Sequence, residues 1–568
     1  MLQYTFSFNN AHRHFIDIEF HVDNHQFSSL VLQLPSWRPG RYELADFAKN
    51  IQYFRVHDMK GKALKFEKLS KNSWLISTPN VSQLVVSYNY YSNELNAGST
   101  YLDEKQLYVN PVNCCLYIPN RMQESCAVDI QVPEDYKIAC ALGKESLLVA
   151  QNFDQLAESP WIASASLQYH TYTVLGVQFH VWFQGDCLPD WNRLLKDFKA
   201  FTKAQLKDFA SFPGNEYHFI NQIVPYKAYH GVEHTASTMI YLGPGSEIMS
   251  KDLYTSLLGV SSHEFYHTWN IKQIRPQELL PYDYSKENYS RMGYLYEGVT
   301  TYMGDLYLMR SKVFSISEFY KTQEENLDRH FHNTGRFNMS VAESSFDTWL
   351  DGYQKGIPHR KVSIYKEGSI CAFMLDVAIL EQSQGQYSLR DLMNRLYVNY
   401  ALEGKGITEE DYITELVFMG AEKAQDIVTS YMYGTKDFTR GLDEAFSLLG
   451  LRMDTQENTD FFAAKLGLKV TKIKDGLRIN QVFPNSISDK KKIAEGDLVL
   501  NINGAPVSEE VLESAKLKST VLITLKRRFE TIDVRLVIDG QSYFQRKQIH
   551  ELEEKSKSQA LLYANWIS

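Results

Sequence analysis

The stretch Leu253-Tyr-Thr-Ser-Leu-Leu-Gly-Val-Ser-Ser-His263-Glu264-Phe265-Tyr266-His267 decides how this chain is read. Leu257, Leu258 and Val260 recur at helical spacing, so the segment is expected to be a packed helix. Residues four apart on a helix share a face, so His263 and His267 can approach one ion while Glu264 stands beside the water to be activated. A catalytic zinc takes three protein ligands and keeps one position open. The downstream carboxylates on offer are Glu278, Glu287 and Glu297. At the familiar spacing the chain has Lys286, which cannot ligate when charged, and Glu287 lies in the polar run Asp283–Tyr289. Glu297 instead sits in Tyr294-Leu-Tyr-Glu-Gly-Val-Thr-Thr-Tyr-Met303, an aromatic helical stretch where a lone carboxylate is costly unless a cation partners it. Glu297 is the better third ligand on physical grounds.

The rest of the chain must account for 568 residues, too many for one hydrophobic core. Fifty-nine Lys plus Arg against 68 Asp plus Glu give a formal charge of −9, with no basic footprint for nucleic acid. The longest apolar stretch, Ser369 to Leu380, is interrupted by Asp376 and falls short of the ~18–20 residues of a bilayer span. No export signal opens the sequence and the six cysteines form no CxxC pair, which leans toward reduced thiols and a cytoplasmic location.

Strict alternation from Ile16 to Val22 marks a half-buried strand, and similar runs make residues 1–170 a β-rich domain. Helical periodicity over Trp191–Phe209, a strand-like run Tyr217–Val224 and the motif helix make residues 171–310 a mixed catalytic domain. Amphipathic segments such as Ser369–Ser383 and Thr408–Phe418 make 311–455 mainly helical. Five short strand runs make 456–540 a separate small β module, and a polar helix, Arg546 to Ala564, is expected within the terminal 541–568.

His263-Glu-Phe-Tyr-His-Thr-Trp-Asn, Arg275-Pro, Glu287-Asn-Tyr and Glu297-Gly-Val-Thr together resemble the glycyl aminopeptidase family, peptidase family M61, gluzincins related to aminopeptidase N. Trp37-Arg-Pro-Gly-Arg-Tyr, Gly231-Val-Glu-His and Tyr365-Lys-Glu-Gly match in the same order, and the module with Leu466-Gly-Leu and Glu495-Gly-Asp-Leu-Val-Leu-Asn-Ile-Asn-Gly resembles a PDZ domain. The resemblance implies a multidomain α+β protein: a β-sandwich-like N-terminal domain, a thermolysin-like zinc peptidase domain, a helical domain completing the active site and a C-terminal PDZ-like β domain. It implies one zinc on His263, His267 and Glu297, Glu264 as general base, Tyr365 as donor to the developing oxyanion and Glu233 as holder of the substrate's free α-amine. The local match at Tyr365 departs from relatives that have Lys directly before Gly. His234 and Asp305 are weaker candidates, as pocket lining and as an acceptor orienting an imidazole.

The function so implied is a zinc metallo-aminopeptidase acting on peptides with a free N-terminus and preferring small residues, Gly and Ala. The alternatives are a zinc endopeptidase, which would not need Glu233, and an inactive PDZ-bearing scaffold. An intact set of His263, Glu264, His267, Glu297 and Tyr365 argues against the scaffold. In a PDZ domain a peptide C-terminus is received by a Gly-containing turn, which here would be Leu466-Gly467-Leu468.

Overall fold

In the computed structural model, which describes residues 2–24, 27–354, 356–420 and 422–568, the alternation at the N-terminus is realised as a strand, Phe15–Asp23. It buries Ile16, Ile18, Phe20 and Val22 and turns Glu19 to solvent, lying between Leu2–Ser7 and Gln83–Tyr91 in a six-stranded sheet. A four-stranded sheet (Lys137–Cys140, Trp161–Ser164, Leu107–Val109, Tyr101–Leu102) and a three-stranded one (Ser29–Gln33, Ser73–Ser77, Phe66–Ser70) complete this β-rich region. All six cysteines are buried and unpaired.

A five-stranded sheet follows, in the order Gln168–Val174, Val177–Gln184, Glu216–Ile223, Ser237–Gly243, Ala228–Glu233. Its three inner strands are parallel and the two outer ones antiparallel to their neighbours. Of these only Glu216–Ile223 is named from the sequence, as the run Tyr217–Val224, and two of the others show why alternation fails. Ser237–Gly243 is buried along its whole length, so neither face shows a polar alternate, and Ala228–Glu233 carries Gly231 and Glu233 toward the cleft. Helix Trp191–Asp208 forms as expected, capped by the Asp190 side chain.

The motif helix spans Lys251–Tyr266, capped by Ser250. Tyr294–Val299 is a π-helical turn continuing into helix Thr300–Arg310. Beyond lie helices including Ile316–His332, Lys366–Gln382, Leu389–Asn399, Glu409–Phe418 and Thr439–Leu448. Asp376, the acid inside the apolar Ser369–Leu380 run, is satisfied there. It accepts from the Tyr302 hydroxyl at 2.7 Å and from the Leu389 N–H at 2.8 Å, and the Tyr302 oxygen accepts from Trp566 Nε1 at 2.7 Å.

The end of the chain differs from expectation. The helix begins at Lys557, and Arg546–Glu551 is a strand paired antiparallel with Leu451–Gln456. Its backbone also donates from Lys547 to Asp328 Oδ1 at 2.7 Å and from Ile549 to Glu324 Oε1 at 2.9 Å, so acids on helix Ile316–His332 satisfy amides that a helix would have used internally. The small β module is therefore inserted between the two strands of a ribbon. Its strands, Leu468–Ile473, Gly476–Val482, Leu498–Ile502, Thr520–Arg527 and Glu530–Val537, enclose a core of their own, from Phe461 to Phe544. One continuous core unites much of the rest, including Ile549, Leu562 and Trp566. Among the described residues no helix is long and apolar enough to cross a membrane.

Trp566 is 1% exposed and its carbonyl accepts from Arg310 Nη2 at 2.8 Å, so the terminal helix is docked and not appended. Trp566→Ala is expected to cost about 3–5 kcal/mol. Tyr302→Phe, which removes both of its hydrogen bonds, should cost less, about 1–3 kcal/mol. Denaturant unfolding of the full chain measures both.

Candidate active site

Backbone contacts without side chains assemble the site. Gly231, on the edge strand Ala228–Glu233, lies against Glu264 and Val260 of the motif helix, and any Cβ there would collide with the Glu264 carboxylate. Gly304 packs on the backbone of His263, where a Cβ would lie 3.1 Å from the His263 Cα. Ser262 Oγ donates to the Gly304 carbonyl at 2.7 Å and fixes the crossing of the two helices. The close crossing draws Glu297 up to the motif histidines.

His263 Nε2 and His267 Nε2 are 3.1 Å apart, and Glu297 Oε2 lies 3.7 and 3.5 Å from them. His267 Nδ1 meets the Asn270 carbonyl at 2.6 Å; a backbone carbonyl can only accept, so Nδ1 carries the proton and Nε2 presents its lone pair to the cluster. Asn270 is itself held by Leu295 O and Thr300 Oγ1, at 2.8 and 3.0 Å. Glu297 Oε2 is buried without a hydrogen-bond partner. Two imidazoles and a carboxylate converging within zinc-ligand spacing, one of them otherwise orphaned, fit a zinc ion.

Glu264 and Glu233 add two more buried carboxylates, and their oxygens lie within 4.8 Å of His267 and of each other. Burial pushes the Glu264 carboxyl up to about 8, against the pull of His267 and with the push of Glu233 and Glu297. This crowding of acids is what a divalent cation relieves.

Tyr365 stands across from the motif helix, its ring 6.4 Å from that of His263. Burial, then Glu297, holds its phenol well above the usual range, so it stays protonated. It opens helix Lys366–Gln382, where Gly368 rests directly on Gly298: a Cβ on either would lie 2.5 or 2.7 Å from the other's Cα. The adjacent Glu367 is buried and pairs with His330. This glycine pair sets the distance between Glu297 and Tyr365.

Glu233 closes the edge strand and is 4% exposed, with Oε1 3.8 Å from Lys272 Nζ. The Lys272 side chain is wholly buried and reaches Glu158 at 2.9 and 3.1 Å. Burial alone would raise Glu158, but Lys272 and His234 bring it down to about 2. His234 thus belongs to this buried charge pair, 3.7 Å from Glu158, rather than to an open pocket. The loop Trp37–Tyr42 covers Glu233: Gly40, with φ of +79°, lies so close that a Cβ would strike the carboxylate. The sequence reading missed Lys272, Glu158 and the glycine pair. A lysine five residues past the second histidine, flanked by Trp269, Ile271 and Ile274, was the available signal.

Asp305 does not take its expected place: no hydrogen bond among the described residues joins it to His263 or His267, and the acceptor on His267 is the Asn270 carbonyl. Leu466-Gly467-Leu468 does form a helix-to-strand turn, with Gly467 at φ +70°. The Gly467 N–H is bonded to the Phe462 carbonyl and its own carbonyl to Phe483 N, so that amide is engaged within the module. A further group with metal-ligand spacing, His180, Glu216 and His218, fits zinc poorly. Trp182 Nε1 can only donate, at 3.2 Å, to His218 Nδ1, and Lys144 donates to Tyr169, whose own proton then goes to His180 Nδ1 at 2.8 Å. Both neutral imidazoles then carry the proton on Nε2, where a metal needs a lone pair.

Residues 3–165 match the family model described as the Peptidase M61 N-terminal domain, and residues 256–371 that described as M61 glycyl aminopeptidase. The chain is a zinc metallopeptidase. The two matches, to an M61 N-terminal domain and to M61 glycyl aminopeptidase, support a metallo-aminopeptidase. Among solved structures, an aminopeptidase N family protein from Idiomarina loihiensis shares the fold over 100% of both chains, with a TM-score of 0.92 at 23% identity. An M1 zinc metallopeptidase variant from Deinococcus radiodurans, bound to a Tyr-Ser-Ala substrate, aligns over 77% of this chain and 94% of its own, at 12% identity and a TM-score of 0.48. Yeast LTA4 hydrolase with bestatin aligns over 76% and 65%, at 13% identity and 0.43. A comparison with curated proteins finds no match.

Gly298→Ala or Gly368→Ala must push the two helices apart by a fraction of an ångström to an ångström. Since a misplacement of about 1 Å costs roughly 100-fold in rate, either variant is expected to lose about that factor in kcat. Steady-state kinetics with parallel circular dichroism checks this, and an unaltered kcat would show that the glycine contact does not set the site.

Proposed function

We propose that the protein removes the N-terminal residue from peptides, with one zinc per chain held by His263, His267 and Glu297. The supporting observation is a charge balance. Glu233, Glu264 and Glu297 place three carboxylates in one buried space while Lys272 and Glu158 cancel each other, and a divalent ion plus one α-ammonium neutralises the three. A zinc ion held there supplies Lewis-acid polarisation of the scissile carbonyl and acidification of water.

The chain's own groups do the rest. Glu264 takes a proton from the water whose oxygen adds to the carbonyl carbon, and delivers it to the amine nitrogen as the C–N bond breaks. The Tyr365 hydroxyl donates to the carbonyl oxygen as that oxygen gains charge. Glu233 receives the α-ammonium, so that only the first peptide bond reaches Glu264. Preference for Gly and Ala draws on the description of the matched family and on the loop closed over Glu233, which leaves it 4% exposed. Discrimination by overlap excludes large side chains strongly but separates Gly from Ala only modestly.

Glu264→Gln should keep about one zinc per chain and lose about 100- to 10,000-fold in kcat on a Gly- or Ala-amide reporter. Tyr365→Phe should lose about 100- to 1,000-fold. Metal analysis and the same reporter, free and N-acetylated, provide the check. Faster cleavage of the blocked reporter would make the enzyme an endopeptidase, and undiminished hydrolysis by metal-stripped wild type would overturn the mechanism.

A further inference from the structure

One buried cation beside the site has no partner in the reaction just described. Arg38, in the loop that covers Glu233, is 4% exposed, yet no carboxylate of the described residues lies within 4 Å of it. Its hydrogen bond is a long one, Nη1 to the Pro39 carbonyl at 3.4 Å. The guanidinium lies flat on Gly98, where a Cβ would collide with Cζ, Nε and Nη2, so the fold has cleared a position for it. Nε and Nη2 have no acceptor among the described residues and yet are not among the fully enclosed orphan atoms, which puts the small residual exposure at the charged end.

A guanidinium cannot escape such a position by losing its proton, and an unpaired buried charge is strongly unfavourable. Burial and the neighbouring Arg41 both weigh against its charge, while Glu233, Tyr108 and Tyr353 favour it. Arg41 is otherwise employed, bonded to Glu43 and stacked 4.8 Å over the Tyr353 ring. Tyr353 in turn neighbours Tyr365 and accepts from Tyr42 N at 3.3 Å. Two residues along the loop, Gly40 rests on the Glu233 carboxylate. An amine-seeking carboxylate and an uncompensated, forked cation thus lie under and within one loop, near enough for Glu233 to favour the Arg38 charge.

We propose that Arg38 receives the free α-carboxylate of a short peptide, so that the preferred substrates are di- or tripeptides with both termini free. The inference rests on the reading of Glu233 as the amine holder and adds the group that measures the other end of the substrate. A bidentate Arg–carboxylate bond is specific in geometry, and losing the carboxylate leaves the guanidinium buried and unpaired, which makes the discrimination strong.

The test compares kcat/KM for Ala-Gly, Ala-Gly-Gly and Ala-(Gly)4 with their C-terminal amides. Wild type should favour the acid about 10- to 100-fold at two or three residues, and by less than about threefold at five. Arg38→Gln should bring the acid-to-amide ratio to near one, and Arg38→Lys should keep part of it, as a point charge without the fork. A ratio near one in wild type at every length overturns the proposal. So does a ratio that survives in Arg38→Gln while both substrates slow equally, since Arg38 would then merely support the loop. Should Arg38→Gln fail to fold, the wild-type ratios and Arg38→Lys still decide. N-acetylated peptides serve as the separate control: cleavage of these at the free-amine rate would refute the Glu233 reading, while the acid-to-amide ratio continues to report on Arg38.

Discussion

Carboxylates crowded into a dry space repel one another, and at least one of them would take up a proton unless a cation stood among them. Around His263 and His267 the chain brings together Glu233, Glu264 and Glu297 and buries each to 6% exposure or less. Much of the surrounding structure answers to that constraint. Lys272 could have neutralised Glu233, but at 3.8 Å it is drawn away by Glu158, at 2.9 Å from the N-terminal domain, so its charge is spent on a closed pair. The acids facing the cleft are left without that charge.

The distances that make this possible are set by what is missing from five positions. Gly40, Gly231, Gly298, Gly304 and Gly368 each bring one chain segment against another at less than the reach of a Cβ. Two of the contacts join elements carrying candidate site residues, Gly298 to Gly368 and Gly304 to His263, and two press directly on carboxylates, Gly40 on Glu233 and Gly231 on Glu264. A site fixed by backbone contact is more rigid than one fixed by long side chains, which have rotamers to lose. The πturn at Tyr294–Val299 belongs to the same logic: its irregularity lies just where Glu297 leaves the helix.

The elements with a single wet face and a single dry one were legible in the sequence: the strand at Phe15–Asp23, the helix at Trp191–Asp208 and the five strands of the small module. The motif helix was legible for chemical reasons, and Glu297 because a lone acid among aromatics demands a partner. Strands Ala228–Glu233 and Ser237–Gly243 were not, because one borders the cleft and the other is buried throughout, and alternation carries no signal in either case. Arg546–Glu551 was misread as helix because its pairing partners, Leu451–Gln456, lie about a module's length away along the chain. Asp305 was misjudged on proximity within one helix. Its rival, the Asn270 carbonyl, is a backbone group, which no side-chain pattern can announce. Glu158 and Lys272 are separated by more than a hundred residues and become a pair only through the fold.

These contacts also divide the chain into what builds the site and what does not. The β-rich N-terminal region supplies Glu158, Gly40 and Arg38, and its Trp37 packs edge-on against Tyr282 at 5.4 Å and Trp349 at 5.2 Å, so it forms one wall of the cleft. Its core is continuous with that of the catalytic and helical regions. The small β module has a separate core, and where it meets the rest it does so through polar contacts such as Lys469 with His332 at 3.0 Å. The ribbon that carries it is bonded to helix Ile316–His332, and that helix supplies His330, the partner of Glu367 beneath Tyr365. The module is thus tied at both ends to the layer that supports Tyr365, while contributing no side chain to the carboxylate cluster itself.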